Sequence, residues 1–461
     1  ATMADRGIIP GASREFSQFV ATANDSPFSN TPDAGLGLLQ SAFIFGYSFS
    51  ILVAGHFVHR VPWKVLVCTG MSVWSTALIL SGMSHAFNSY STLLIARMMT
   101  GCAEAALHVV APPMMQDRGG KYQGRWVSLY LTAAPVGLAI GYVYGSITAQ
   151  HWEWAFFAMS GVSAPLLLIL MCCIKDDSKV LPTSISSSAG RHFTFWKELH
   201  VCVSSRALVC VTIANAALVA VVSTLGTFGG AFLLALQLYD DEQTAAVCFG
   251  LAAALAGLIG TPVGGNWIDQ FLSKQTKDAS SHRLLVGLLP FIEFCTLGGI
   301  IFAWPTTIMN TPIPFLGFLF LGWVCMFSAQ SGITMASMLS VDERYRPNAL
   351  AFTTLFSHLL GDVPAPILFG LLKDSLAPAC RIGKDGDFVD IDGCQSDHVG
   401  IRSTLAVAYA WMTWSLLFFE LARYFARQQI RKENMAKGPE HELQLAGEKV
   451  HDVPLTKSSF A

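Results

Sequence analysis

Long apolar runs separated by short polar turns constrain this chain more than any other feature. Each run reaches roughly 20 residues or more, enough to cross about 30 Å of hydrocarbon at 1.5 Å per residue. Inside hydrocarbon every backbone N–H and C=O must be satisfied within the segment, so runs of this length fold as helices. Eleven complete runs are delimited near 35–58, 65–86, 90–115, 124–148, 153–174, 207–237, 244–267, 284–304, 312–338, 348–373 and 401–424. Charged residues make up only 13% of 461, too few to coat a soluble chain, so the runs are membrane spans of an all-α polytopic protein. The formal net charge is −2 and no basic stripe interleaves with aromatics, which excludes nucleic acid as a partner.

Residues 1–34 precede these runs and are too polar to cross, with Asp5 and Arg6 near the start. They are expected to be the end of a first span largely missing from the chain, followed by a non-cytosolic loop. Lysine and arginine set the orientation. One set of loops carries Arg60, Lys64, Arg118, Lys121, Arg125, Lys175, Lys179, Arg191, Lys197, Arg206, Lys274, Lys277, Arg283, Arg344 and Arg346. The opposite loops near 87–89, 149–152, 238–243 and 305–311 carry none, and only Arg14 and the pair Arg381 and Lys384 break the pattern. The basic side is therefore predicted to be cytosolic, which places 7–34 outside or in a lumen and the tail inside. Asn24-Asp25-Ser26 in the outer segment matches a glycosylation acceptor pattern. Of 11 cysteines, Cys380 and Cys394 share one outer loop, where a disulfide is chemically permitted and two free thiols fit as well.

The longest cytosolic connection, 175–206, is rich in serine and charge and divides the spans six and six when the first is counted. The expected organisation is an N-terminal half over 35–174, the linker 175–206, a C-terminal half over 207–425 and a cytosolic tail over 426–461. Parallel halves with a substrate site between them near mid-membrane are a transporter layout.

Ionisable groups within spans mark candidate sites, because facing lipid would be costly. Arg97, Glu104 and His108 lie within roughly 40° of one another on the face of one helix, with Gly101 beside them. Glu104 is the best proton site, and Arg97 is suited to hold Glu104 or an anionic head group; a structural ion pair is the plainer alternative, and His108 also reads as a packing residue. Gly55-His56-Phe57-Val58-His59-Arg60-Val61-Pro62-Trp63-Lys64 resembles the cytosolic gate signature of major facilitator proteins, with Gly55, His59, Arg60 and Lys64 at its key positions. Gly264, Gly265 and Asp269 occupy the corresponding helix end of the later half. An ordinary basic loop is the competing reading. Near 357–366, Gly361, Pro364 and Pro366 interrupt hydrogen bonding within a span, so a hinge is expected there; Asp362 either caps freed amides, holds a proton or pairs with His358. The small-residue stripe Gly137, Gly141 and Gly145 is read as helix packing alone. No metal-binding, hydrolase or phosphate-loop signature occurs, so the protein is expected not to be an enzyme, to need no cofactor and to draw energy from a gradient.

Taken in order, several stretches resemble the spinster family of the major facilitator superfamily. Asp5-Arg6-Gly7-Ile8-Ile9-Pro10-Gly11 resembles the end of its first span and Gly37-Leu38-Leu39-Gln40 its second. Arg97, Gly101, Glu104 and Ala105 continue the pattern, then Pro135-Val136-Gly137 and Trp152-Glu153-Trp154, then Gly264-Gly265, Asp269 and Gly361-Asp362 with Pro366. His59, where the family has aspartate, and Ala103, where it has glycine, depart from it. The resemblance implies the major facilitator fold of two six-helix halves. It also implies a proton-linked carrier of a lysophospholipid, sphingosine-1-phosphate or similar single-chain lipid, with Asp5, Arg97 and Glu104 lining the cavity. A monomer in a lysosomal, endosomal or plasma membrane is expected. A carrier of a small organic anion or sugar, and a receptor-like protein without transport, are the alternatives.

Overall fold

The computed structural model describes residues 2–57, 61–118, 123–173, 195–275, 280–342, 345–381, 394 and 398–436. Among them there is no strand. Helices α1 (Thr2–Gly11) and α2 (Ser13–Thr22) come first, followed by α3 (Pro32–Phe57), α4 (Trp63–Phe87), α5 (Tyr90–Arg118), α6 (Gln123–Ile147) and α7 (Trp152–Cys173). A short helix α8 (Phe195–Ser204) leads into α9 (Arg206–Ala235), α10 (Glu242–Ser273), α11 (Ser281–Ala303) and α12 (Pro312–Leu339). The chain closes with α13 (Arg346–Ser357), α14 (Pro364–Leu376), α15 (His398–Trp411) and α16 (Thr413–Ala436). Ten stretches of helix among the described residues are long and apolar enough to cross a membrane.

Local chemistry sets the ends. Asp241 caps α10 by accepting from the Thr244 amide at 2.8 Å, and the Ser205 side chain caps α9. Asn88, at φ 45°, closes α4 in the left-handed region that asparagine tolerates. Trp267 stacks at 3.9 Å on Phe291, which carries α10 beyond the span expected to stop near 267.

Residues 1–34 differ from the expectation of a span end and an outer loop. Helices α1 and α2 run almost continuously from Thr2 to Thr22, roughly 30 Å at 1.5 Å per residue. Asp5, Ile8, Ile9, Phe16 and Val20 are fully buried. Residues 7–22 are therefore bundle and not outer loop, and only 23–31 form a turn. The polar side chains that made the segment read as non-crossing face protein, not lipid. The stripe Gly137, Gly141 and Gly145 explains the fit: a Cβ on Gly141 would stand 2.1 Å from the Ala4 carbonyl and one on Gly145 2.4 Å from that of Ile8. Backbone meets backbone, as small residues allow.

Helices α1–α7 make one half and α9–α16 the other. Among the described residues, contacts between halves gather at the end of the bundle that carries Asn24, and reach down α6 and α10 to Pro135 and Gly257. The opposite end carries Lys64, Lys274 and Arg283.

Candidate functional site

The centre of the molecule holds a buried cluster of opposite charges. Gly101, between Arg97 and Glu104 on α5, lets α3 approach so closely that a Cβ there would lie 2.0 Å from the Phe43 carbonyl. Gly46 on α3 does the same against Met98 at 2.3 Å. The close approach brings Phe43 and Tyr47 up to the charged face of α5, while α1 supplies Asp5 and Arg6.

Arg97 donates from Nη1 to Asp5 Oδ1 at 2.8 Å, with both side chains fully buried. Glu104, also fully buried, accepts on Oε1 from Arg6 Nη2 at 3.1 Å and lies 3.0 Å from His108 Nε2. Of the partners open to Arg97, Glu104 is not the one it meets here: each residue pairs with α1 instead. Two helical turns separate Arg97 from Glu104, so a crossing helix presenting adjacent opposite charges satisfies both. Phe43 lies between the guanidinium groups, 4.8 Å from Arg6 and 5.1 Å from Arg97, and Tyr47 is 5.2 Å from Arg6. Among the described residues, Arg97 Nε and Nη2, Arg6 Nε, Asp5 Oδ2 and Glu104 Oε2 have no hydrogen-bond partner. Such buried orphans cost roughly 1–3 kcal/mol each, which marks the cluster as built for something other than stability.

The second half reaches the same place. Tyr47 packs edge-on against His108 at 5.5 Å and against His358 at 6.0 Å. His358 Nδ1 lies 2.5 Å from Asp362 Oδ2, so of the roles open to Asp362 the geometry selects pairing with His358. The irregular backbone falls where prolines demand it. Pro364 has no N–H for the carbonyl of residue 360, and 358–362 widens into a π turn closed by the Val363 amide on the His358 carbonyl at 3.0 Å. Gly361 packs on α9, where a Cβ would lie 2.3 Å from the Ala216 carbonyl, and Pro366 meets Gly37 of α3.

The gate residues are seen in part. His59 and Arg60 lie outside the described residues; Gly55 falls on the last turn of α3, and Lys64 is partly buried at the start of α4. Gly264 touches Ser328 of α12, its own half, with 2.3 Å available to a Cβ, so its close approach is not between halves. Gly265 has open space and Asp269 is exposed. Cys380 and Cys394 form a disulfide, which resolves the alternatives left open for that loop.

The sequence reading missed Arg6, Phe43 and Tyr47, whose roles depend on a crossing with α1 that no local pattern reports. It also missed a second polar cluster at the Asn24 end. There Lys373 Nζ donates to Asp33 Oδ2 at 2.5 Å, both nearly fully buried, and Asp374 and Glu242 lie close by. Lysine and aspartate at a span end gave the only signal, and it resembled an ordinary interfacial flank.

Two helical halves meeting around buried ionisable groups, in a bundle with ten helical stretches among the described residues long and apolar enough to cross a membrane, define a membrane transporter. The model of the Major Facilitator Superfamily matches residues 9–366, more than half of the sequence, and the chain belongs to that superfamily. Its relatives include a probable sphingolipid transporter, spinster homolog 1 of Arabidopsis thaliana, 26% identical over 380 residues that cover 74% of this chain and 72% of the relative. Protein spinster homolog 1 of Homo sapiens is 26% identical over 371 residues, covering 76% of this chain and 68% of its own. The resemblance to spinster proteins is thereby borne out. Among solved structures, a bacterial homolog of the human lysosomal transporter spinster, inward-facing and occupied, superposes with a TM-score of 0.71 at 16% identity, covering 92% of this chain and 94% of that one. A mutant of the nucleoside transporter NupG reaches 0.63 at 11%, covering 92% and 100%. The shared fold thus accommodates chemically different cargo.

Proposed function

We propose that this transporter is a proton-coupled carrier of a single-chain lipid with an anionic head, such as a lysophospholipid or sphingosine-1-phosphate, working by alternating access. The observation that carries the reading is Glu104, fully buried and shared by Arg6 and His108 on one oxygen. While Glu104 is ionised it occupies Arg6. Protonation removes its charge and frees the Arg6 guanidinium for a phosphate-type head group, which Arg97 Nε and Nη2 are also placed to donate to. Substrate anion and proton then compete for one set of donors, the simplest form of coupling between two ligands. Apolar Phe43 beside the arginines suits a head group that continues into a hydrocarbon chain. The Arabidopsis thaliana relative named a probable sphingolipid transporter supports the same cargo class.

In this reading no cofactor is required, a proton gradient supplies the energy and a monomer suffices. The tail faces the cytosol, in a lysosomal, endosomal or plasma membrane. The π turn at His358–Asp362 is the hinge of the second half. Proteoliposomes loaded with a fluorescent lysophospholipid test it: Glu104→Gln keeps the fold by thermal unfolding and reduces pH-driven flux to background. Wild-type pH-driven flux in that variant refutes the proposal.

A further inference from the structure

The central cluster does not account for a second set of buried and half-buried charges where the two halves meet at the Asn24 end. Its chemistry has an unusual form: carboxylates of the second half cap helix N-termini of the first. Helix α2 starts after the break at Ala12, whose side chain supplies no cap. Its Arg14 amide donates instead to Glu242 Oε1 at 2.9 Å, and the Ser13 hydroxyl donates to the same oxygen at 3.3 Å. Helix α3 starts at Pro32, and its Ala34 amide donates to Asp374 Oδ2 at 3.1 Å. The first amides of a helix have no partner within it, and a carboxylate placed on them is stabilised by the dipole as well. Between the two caps runs the buried Lys373–Asp33 pair, with the Ser17 hydroxyl donating to Asp33 at 3.4 Å. Gly370 brings α14 so near that a Cβ would lie 2.5 Å from the Asp33 carbonyl, and Arg381 Nη1 donates to the Asn30 carbonyl at 2.6 Å.

We propose that Glu242, Asp374 and the Asp33–Lys373 pair form the latch that holds the two halves shut at the Asn24 face, and that it must open for substrate to pass there. Each of these interactions joins one half to the other, so separating the halves at this face breaks all of them together. The bonds that break are charge-assisted, the strong class of hydrogen bond; those of Asp33 and Asp374 are buried and those of Glu242 half-buried. They exchange for water on opening, which makes the open state reachable and leaves its population set by these few side chains. The proposal rests on alternating access but on neither the lipid cargo nor the proton, and its test needs neither.

Ala231 lines the small cavity beside Asp33 and Lys373 and is half-buried there. In the full chain, in sealed vesicles, Ala231→Cys is labelled by a membrane-impermeant maleimide from the Asn24 face, with the parent chain as background. Asp33→Lys, Lys373→Asp and Glu242→Ala are each expected to raise the labelling rate about tenfold. The double variant Asp33→Lys with Lys373→Asp returns it toward the starting rate, an outcome that general misfolding does not produce. Unchanged labelling in all the single variants overturns the latch, and so does a double variant labelled as fast as either single.

Discussion

At the scale of single residues, capping between distant segments recurs beyond the latch. Asp25, in the turn after α2, accepts from the amides of Tyr90 at 2.6 Å and Ser91 at 3.0 Å and from the Ser89 hydroxyl at 2.9 Å. It caps α5, the helix that carries Arg97 and Glu104. Burial acts to raise its pKa, but the hydrogen bonds from Ser91, Ser89 and Tyr90 outweigh it and hold the carboxyl at about 2. A depressed folded value means the stabilisation is complete above the unfolded value near 3.9 and is lost as pH falls toward 2. Asp25→Ala should therefore cost about 1 kcal/mol at neutral pH. Thermal unfolding compared at pH 7 and near pH 2.5 checks this, and a gap between variant and wild type that does not shrink on acidification contradicts it. The residue scale also shows what sequence could report. Arg97, Glu104 and His108 share a helix face, and helical periodicity alone brought them together. Asp5 came from family resemblance, and Arg6 beside it passed as a mark of polarity because its partner lies 98 positions away.

Elements were more legible than residues, for a physical reason. Hydrocarbon demands about 20 apolar residues per crossing, so spans announce themselves one at a time. Helices α3–α7 and α9–α12 begin and end within a few residues of the expected limits, apart from the extension of α10 to Ser273. The exceptions are elements whose surroundings are protein on all sides. Helix α1 is shielded by α6 and α2 by α3 and by Trp152 and Phe156 of α7, and their polar residues carry no cost that a hydropathy pattern registers. The irregular backbone at 358–362 was visible because proline acts on its own backbone, whereas the packing of Gly361 on α9 was not. Glycines separate by the same criterion. Gly264 and Gly265 look alike in sequence, yet a Cβ on the first lies 2.3 Å from the Ser328 carbonyl and one on the second meets nothing within 4 Å. Gly264→Ala is expected to destabilise by about 1–3 kcal/mol through forced separation of α10 from α12. Gly265→Ala should be neutral or stabilising by about 0.4–1 kcal/mol, because alanine restricts the unfolded chain. Melting temperatures of the two variants in one detergent decide it, and equal losses would mean that contact with α12 is not what distinguishes them.

For the whole molecule, the contacts between halves say which end is shut, and loop charge says which membrane face that end takes. The loop charges predict that the Asn24 end is the non-cytosolic one. The Cys380–Cys394 disulfide lies at that end, as an oxidising compartment would permit. The contacts between halves also gather there, so the central cluster is sealed from that side by the latch, by Gly37 against Pro366 and by the Tyr142 hydroxyl on the Gly226 carbonyl. In a carrier that works by alternating access, closure at this end is expected to go with access to the centre from the other. Tyr47 is the sensitive place to test this, since it is partly exposed and stands between His108 and His358, one from each half. With Tyr47→Cys, a small impermeant thiol reagent added to the Lys64 side of oriented vesicles should react at least about tenfold faster than the same reagent added to the Asn24 side. A factor of ten corresponds to about 1.4 kcal/mol between the two open forms, a gap that a handful of buried charge-assisted bonds is large enough to supply. Equal rates from the two sides would mean that both forms are comparably populated at rest. Faster reaction from the Asn24 side would reverse the orientation drawn from the charges, because the distribution of contacts between the halves is fixed by the fold and only its assignment to a membrane face comes from the loops.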